Sequence, residues 1–546
     1  MELSQGAKAA ACVLVLGLLV IDASQVSAVQ RNKCALRVVD KTNQKAVCVC
    51  NATYCDNLVF KWPQNPGEAY LVESSRTGSR LDVSKLVNAD WDWCGKVDNK
   101  LVVDLDREHQ SILGFGGAFT DAGGINVMGL PEVLRNKLVE TYYGEHGSQY
   151  NFGRVTISGI DCSTHPYSYD DLPKGEKDYN LTKWSLAPED LKYKIPLIKQ
   201  ALEMVKTYNS SLKLFGSSWS PPAWMKDNES LVRGHLIDSD QIYESYAQYL
   251  VKFYNAYKSH GIEFWGGTLQ NEPIAALSPG YNFNSLELRD ADAVRLIRHL
   301  GPALAANGYT KDKFKLMVGD DNLGSINDQV RYIMSQKEVY PYVAGLAFHW
   351  YRNLEPNIYQ KLTEIYDQIK DHIEFALMTE ACIEPGREVP VDLGSWPRGE
   401  RYANDIIEEL LRQSGGWIEW NMALDEQGGP NWVRNFLDAA IVVSNNKTEF
   451  YKQPMYYALA HFSRFFRPGS VRVDVNMDVI SPSEDNKELA NKDVSAVAVH
   501  KKDTGHVVVN ILNKSDEPKM LIVKTLDVGR AVRIQGKSIN TVVIKL

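Results

Sequence analysis

Apolar positions follow two different periods along the chain. From about residue 109 to 421, short apolar runs alternate with stretches in which apolar residues recur every three to four positions. The runs have the length of a buried strand, and the stretches carry the period of an amphipathic helix. The strand candidates are residues 112–119, 150–158, 213–219, 264–272, 315–320, 345–351, 375–380 and 416–421. Between them, Ile198, Ala201, Leu202 and Val205 form one helical stripe. Ile242, Tyr246, Tyr249, Leu250, Phe253 and Tyr257 form another, and Gly261 stands at a C-cap position. Both stripes read as packing faces. Eight strand–helix units predict a (β/α)8 TIM barrel. An open doubly wound sheet is the alternative, but no GxGxxG follows the first strand; Gly114-Phe-Gly-Gly117 is too short a match.

The flanks differ. Residues 29 to about 108 lack a helical period and carry short strand-like pieces. After about residue 455 the chain is expected to turn strand-rich again. Residues 494–500 and 507–512, joined through Asp503-Thr504-Gly505, read as a hairpin. Each flank is small for a core of its own, so the two are expected to pair into a joint β-sandwich.

Composition refines this picture. The 546 residues exceed one core of ordinary size, so two or three domains are expected. The formal charge is −8, and losing Glu2, Lys8 and Asp22 with a leader changes it only to −7. That mild acidity argues against nucleic acid and supplies no polybasic membrane anchor. Residues 9–21 are the one long apolar run and fall short of the roughly 20 residues a spanning helix needs. With Lys8 before it and Val26-Ser27-Ala28 after it, the run reads as a secretory signal peptide over residues 1–28. No later segment is a transmembrane span.

The cysteines agree with an oxidising compartment. Cys34, Cys48, Cys50 and Cys55 crowd together near the mature N-terminus, while Cys94, Cys162 and Cys382 are scattered. Four cysteines allow three pairings. Cys48 and Cys50 face opposite ways on an extended segment, which favours Cys34–Cys48 and Cys50–Cys55; a zinc knot is the competing reading. Asn-x-Ser/Thr sequons stand at Asn51, Asn180, Asn209, Asn228, Asn446 and Asn513, as expected of a glycosylated lumenal or extracellular protein.

Two glutamates carry the candidate chemistry. Glu272 and Glu380 each end an apolar strand-like run, at the fourth and seventh strands. An unpaired carboxylate is costly in a core, but at a barrel mouth it is aimed at a cleft. Two carboxyl groups, one protonated and one ionised, are the machinery of glycoside hydrolysis. Glu272, preceded by the amide of Asn271, is assigned as acid/base, and Glu380 as nucleophile. Trp219, Trp350, Tyr351, Trp420 and Asn421 also fall at strand ends, where aromatic faces and polar edges suit a sugar. Asp121, Arg154 and Asp161 lie at strand ends too; Arg154 either orients the nucleophile or forms a structural ion pair. No HExxH or GxSxG occurs, the eleven histidines are scattered, and Cys382 has no recognisable histidine partner. Neither a metal nor a cofactor is expected.

The motifs Cys48-Val-Cys-Asn-Ala-Thr-Tyr-Cys55, Gly114-Phe-Gly-Gly-Ala-Phe-Thr-Asp121, Gln270-Asn-Glu-Pro273, Phe348-His-Trp-Tyr351, Thr379-Glu-Ala-Cys382 and Gly428-Gly-Pro-Asn-Trp-Val-Arg-Asn435 occur in order over nearly the whole mature chain. Together they resemble the glucosylceramidases of glycoside hydrolase family 30. The resemblance implies retaining hydrolysis of glucosylceramide in the lysosome lumen, with Glu272 and Glu380 in the roles above. It implies glucose contacts from Asp161, Trp219, Asn271, Trp420 and Asn435, and a mouth lined by Phe283 and Tyr351. It implies a saposin-type activator, an anionic lipid surface and a lysosomal transport receptor as partners. It also implies a small disulfide-containing sheet domain (29–62 with about 422–454), a β-sandwich (63–108 with about 470–546) and the barrel (109–421 with about 455–469). Two departures stand out. Cys162 follows Asp161 where the family often has Phe, and the Ile383-Glu384-Pro385 loop differs. A soluble β-glycan such as a β-1,6-glucan or xylan is the alternative substrate, and a non-catalytic lumenal binding protein the alternative class.

Overall fold

The computed structural model describes residues 32–88, 97–383, 389–479 and 493–546. The leader at 1–28, Cys94, and Glu384 and Pro385 of the divergent loop lie outside the described residues.

Eight parallel strands close into a barrel, and each expected strand is among them. They are β1 (Gly114–Phe119), β2 (Phe152–Ile157), β3 (Lys213–Ser218), β4 (Gly266–Thr268), β5 (Lys315–Asn322), β6 (Val343–His349), β7 (Phe375–Ala381) and β8 (Ser414–Asn421). Strand β8 pairs with β1 and completes the ring. Adjacent backbones approach closely because glycine stands between them. A Cβ on Gly116 would lie 2.0 Å from the Phe152 carbonyl oxygen, and one on Gly416 1.9 Å from that of Gly114. Phe152, Phe215, Met317, Leu377 and Ile418 fill the interior. The helical stripes face the barrel as expected: Ile198, Ala201 and Val205 are buried in the helix Ile195–Lys206, and all six stripe positions are buried in Asp240–Ser259. Gly261 follows that second helix at φ +79°, the left-handed geometry that ends it.

Strand β4 is shorter than the apolar run that encodes it. Beyond Thr268 the ladder loses regular pairing, yet the backbone N–H groups of Leu269, Asn271 and Glu272 still donate to the carbonyls of Met317, Ser218 and Asp320. Glu272 is thereby tied to both neighbouring strands while its own backbone turns to φ +43°. That conformation is uncommon for a residue with a Cβ and persists only where its surroundings hold it.

Two further sheets draw on both chain ends. Residues 36–51 and 423–452 form a five-stranded sheet carrying the Cys34–Cys48 and Cys50–Cys55 disulfides. Ten strands from 69–111 and 471–545 form another. One apolar cluster takes Leu71, Leu101, Val473, Val509, Leu521, Val532 and Val542 from along that sheet, so it folds over a shared core. The expected hairpin is present as Val494–Lys501 and His506–Asn513.

The reading that strands resume at about 455 needs correction. Pro454–Ser463 is a helix, and all ten of its residues are buried. It packs against the helix Trp396–Leu410, the barrel and both outer sheets. A helix apolar on every side has no amphipathic period to reveal it.

Of the six sequons, Asn180, Asn209, Asn228 and Asn446 are exposed and Asn51 is half-buried. Asn513 does not fit a glycan. It is fully buried, and its amide nitrogen donates to the carbonyls of Glu517 and Gln535.

Glu419 of β8 is buried beneath the barrel wall. Tyr150 donates to its Oε1 at 3.2 Å, and its Oε2 has no hydrogen-bond partner. Burial raises its pKa well above the usual carboxyl range, which favours the neutral form in the folded protein. An acid that binds its proton more tightly when folded contributes stability at acid pH, and that stability is lost as pH rises above the unfolded carboxyl value of about 4.3. Glu419→Gln keeps the shape and fixes the neutral state. Its melting temperature should fall less between pH 5 and pH 7.5 than that of the parent protein, by differential scanning fluorimetry. An unchanged slope would mean that Glu419 is ionised in the native state.

Candidate active site

The C-terminal ends of the barrel strands converge on a cavity of about 290 Å³, whose lining includes Asp161, Trp219, Glu272, Tyr281, Phe283, Tyr351, Glu380, Trp420 and Asn435. Glu380 lies within β7, whereas Glu272 stands four residues beyond β4. A carboxylate oxygen from each and a ring nitrogen of His349 lie within 4.8 Å of one another.

Arg154, on β2, organises the floor. Its Nη1 donates to Oε2 of Glu380. Its Nη2 donates to Asp320 (2.9 Å), Asn271 (2.8 Å) and Ser217 (3.0 Å). The guanidinium carbon lies 4.9 Å and 5.3 Å from the ring centroids of Trp219 and Trp420, which stack on each other at 5.2 Å. Arg154 contacts Glu380 and also forms a fully buried ion pair with Asp320, so each of the two readings open for it has a contact in the structure. Asp320 also accepts from Thr268, Ser217 and Thr379. Burial opposes the charge on Asp320, but Arg154 and His349 outweigh it and hold its pKa well below the usual range.

His349 bridges the two halves of the site. Its Nδ1 faces Glu272 Oε1 at 3.3 Å and its Nε2 faces Asp320 Oδ1 at 3.0 Å. Burial opposes its charge, yet Glu380, Asp320 and Glu272 together raise its pKa to about 10. Both ring nitrogens thus face carboxylates, which favours the imidazolium form, in which each nitrogen donates. Opposing influences act on Glu380, and on balance its pKa is raised above the usual carboxyl value. Burial raises its pKa, and so does Glu272; Arg154, His349 and the Tyr351 hydroxyl, which donates at 2.6 Å, favour the ionised form. Tyr281 donates to Glu272 Oε2 at 2.6 Å. Asp321 holds the following loop through the N–H groups of Ile274 and Ala275, and burial followed by the nearby Glu272 raises its pKa to about 6.

Asp161 faces the cavity from the opposite wall. Its Oδ2 accepts from Asn431 and Asn435 at 3.1 and 3.0 Å, and burial raises its pKa. Phe283 stacks against Tyr281 with ring centroids 4.1 Å apart. Asn271 does not line the cavity; its carbonyl is engaged by Arg154. Trp350 is not part of a sugar rim. It is fully buried against Tyr402 and Trp417, and its indole donates to the Cys382 carbonyl. Asp121 is structural, paired with the buried Lys194. Cys162 and Cys382 are buried and outside the two disulfides, and Cys382 lines the cavity.

Asp320, Tyr281 and Asn431 were not singled out from the sequence. Asp320 ends the expected fifth strand, so its place at a strand terminus was a usable signal. Tyr281 and Asn431 lie on loops whose course no periodicity encodes.

A barrel with paired carboxyl groups, a buried Arg–Asp–His network and aromatic walls at the C-terminal mouth is the site of a glycoside hydrolase. The chain belongs to glycoside hydrolase family 30: residues 112–466 match the glycosyl hydrolase family 30 TIM-barrel domain. It is 37% identical over 504 residues to the mouse lysosomal acid glucosylceramidase, covering 91% of this chain and 92% of that protein. It is 27% identical over 376 residues to an endo-1,6-beta-D-glucanase of Trichoderma harzianum, covering 66% and 70%. The fold matches the crystal structure of SrfJ from Salmonella typhimurium with a TM-score of 0.75 at 24% identity, over 88% of this chain and all of that one.

Arg154→Lys keeps the charge and removes the planar fork that reaches Glu380, Asp320, Asn271 and Ser217 together. A misaligned carboxylate costs on the order of a hundredfold in turnover. The variant should lose about that much kcat on a fluorogenic β-glucoside and melt at a lower temperature. A near-normal kcat would show that charge alone suffices at this position.

Proposed function

We propose that the protein is a retaining β-glucosidase that hydrolyses glucosylceramide to glucose and ceramide by double displacement. The observation that carries this reading is the approach of Glu272 and Glu380 to within 4.8 Å at the mouth of the barrel. Retaining glycosidases hold their carboxyl groups about 5–5.5 Å apart, and inverting enzymes hold them farther apart to admit a water. Glu380 attacks the anomeric carbon as Glu272 protonates the departing glycosidic oxygen, and ceramide leaves. Glu272 then takes a proton from water, whose oxygen displaces Glu380 and releases β-glucose. Arg154 and Tyr351 hold Glu380 as an anion aimed at the sugar; His349 and Tyr281 fix the carboxyl of Glu272.

The cavity suits a single sugar ring. Asp161, Trp219, Trp420 and Asn435 form its wall, with Phe283 and Tyr351 at the mouth. Similarity to a lysosomal glucosylceramidase over 91% of the chain supports the lipid substrate and the lysosome lumen, reached by the secretory pathway. A saposin-type activator, an anionic lipid surface and a transport receptor belong to the same reading. Among the described residues no helix is long and apolar enough to cross a membrane.

The decisive experiment compares two variants on two substrates at acid pH, with anionic lipid present. Glu380→Gln should abolish turnover of both glucosylceramide and an aryl glucoside, because no glycosyl-enzyme bond can form. Glu272→Gln should lose the lipid but spare an activated aryl glucoside, whose leaving group needs no proton. Equal loss of aryl-glucoside cleavage would refute the assignment of roles. Cleavage of a β-1,6-glucan in place of glucosylceramide would refute the substrate.

Selectivity for glucose should rest on Asp161. Glucose and galactose differ at the 4-hydroxyl, and a hydrogen bond to a charged group contributes roughly 1.5–3 kcal/mol, on the order of tenfold to a hundredfold. Asp161→Ala should lower kcat/KM for glucosides by about that factor and narrow the preference over galactosides. Retention of both rate and selectivity would make Asp161 a structural residue.

A further inference from the structure

A second cavity, of about 580 Å³, opens at the other end of the barrel. Gln149 precedes β2, Asn209 and Ser210 precede β3, and Arg467 follows the helix Pro454–Ser463. These positions mark the N-terminal face of the barrel, away from the catalytic mouth. The ten-stranded sheet contributes Lys501, Thr504, His506 and Lys545, and the segment before it contributes Trp62 and Gln64.

The chemistry of this cavity is one-sided. Its lining contains no aspartate or glutamate. Arg467 is held in place by neutral acceptors: the carbonyls of Gln149 and Ser463 at 2.7 and 2.9 Å, and the Ser210 hydroxyl at 3.3 Å. Among the described residues it forms no ion pair with a carboxylate. Lys545 likewise donates to a neutral group, the Thr504 carbonyl, at 2.9 Å. The nearby Asp503 is already engaged by Lys501 at 2.7 Å. His506 is fixed by the Pro63 carbonyl and the Thr504 hydroxyl, with burial favouring its neutral form. A cation fixed in a recess without a counter-charge is costly, and it favours binding of an anion. Trp62 and Tyr208 add aromatic surface, and Gln64 and Gln149 add amides. An inorganic ion would leave most of this volume and both aromatic rings unused.

We infer that this cavity is a second binding site, for an anionic saccharide. The acidic group sits on Arg467 and Lys545, a sugar face lies against Trp62, and the amides take hydroxyl groups. The anionic group is a sulfate ester or a uronate carboxylate. The site is remote from Glu272 and Glu380, so a bound ligand joins barrel to outer sheet without entering the catalytic cavity.

Isothermal titration calorimetry tests this with a sulfated uronate-containing tetrasaccharide, its desulfated counterpart, neutral cellotetraose and sodium sulfate. Either anionic saccharide should bind, and the stronger of the two identifies the group. Cellotetraose and sulfate should bind at least about tenfold more weakly. Arg467→Gln and Trp62→Ala should each weaken binding by about tenfold or more, while aryl-glucoside hydrolysis stays at the parent rate as a check on folding. The ligand should not compete with the aryl glucoside. Equal binding of cellotetraose, equal binding of sulfate, no binding of either anionic saccharide, or competitive inhibition of hydrolysis would each overturn the proposal. Because the parent rate and the competition are read separately, failure here is distinguishable from failure of the glucosidase reading.

Discussion

The catalytic end of this protein depends on one buried cation. Arg154 has left water entirely, and a guanidinium does so only if its donors and its charge are met from several sides. Glu380, Asp320, Asn271 and Ser217 meet the Nη1 and Nη2 groups, and Trp219 and Trp420 cover the faces. These partners come from β3, β5, β7 and β8 and from the segment after β4. A single side chain therefore sets the relative positions of five of the eight strand ends. Asp320 then passes the constraint to His349, and His349 passes it to Glu272. The two glutamates are held by opposite ends of one charged network.

The network also separates the environments of the two acids. Glu380 contacts a permanent cation and a phenol; Glu272 contacts a phenol and an imidazolium. Two carboxyl groups so close cannot both ionise without strong positive charge nearby. Arg154 and His349 lie beside them, and Arg154 bonds Glu380 directly. The strained backbone of Glu272 fits this arrangement, since its main chain is bonded to Asp320 while its side chain turns toward the cavity.

Around this end the rest of the fold acts as a rigid mount. The fully buried helix Pro454–Ser463 ties the barrel to both outer sheets, and each sheet joins sequence from the two chain ends. A buried acid such as Glu419, whose pKa burial raises, adds stability at acid pH that is lost as pH rises.

Much of this was legible in the chain itself. Strand and helix periods gave all eight barrel strands, since burial of one face imposes a period on the sequence. Strand-end acids announced Glu272 and Glu380, because a charge at the end of an apolar run has no place in a core. The spacing of four cysteines favoured the two disulfides that form. What stayed hidden is what contact alone defines. The helix Pro454–Ser463 is buried on every side and so has no period. Trp350 and Trp219 both stand at apparent strand ends, yet one enters the core and the other lines the cavity. Asn513 reads as a sequon, but its amide is spent inside the sheet. That Arg154 pairs with both Glu380 and Asp320 could be seen only once five strand ends were brought together. Local sequence records the period and chemistry of each element; only the closed barrel decides which side chains meet, because those meetings join residues of different strands, from 29 to 226 positions apart in the Arg154 and His349 network.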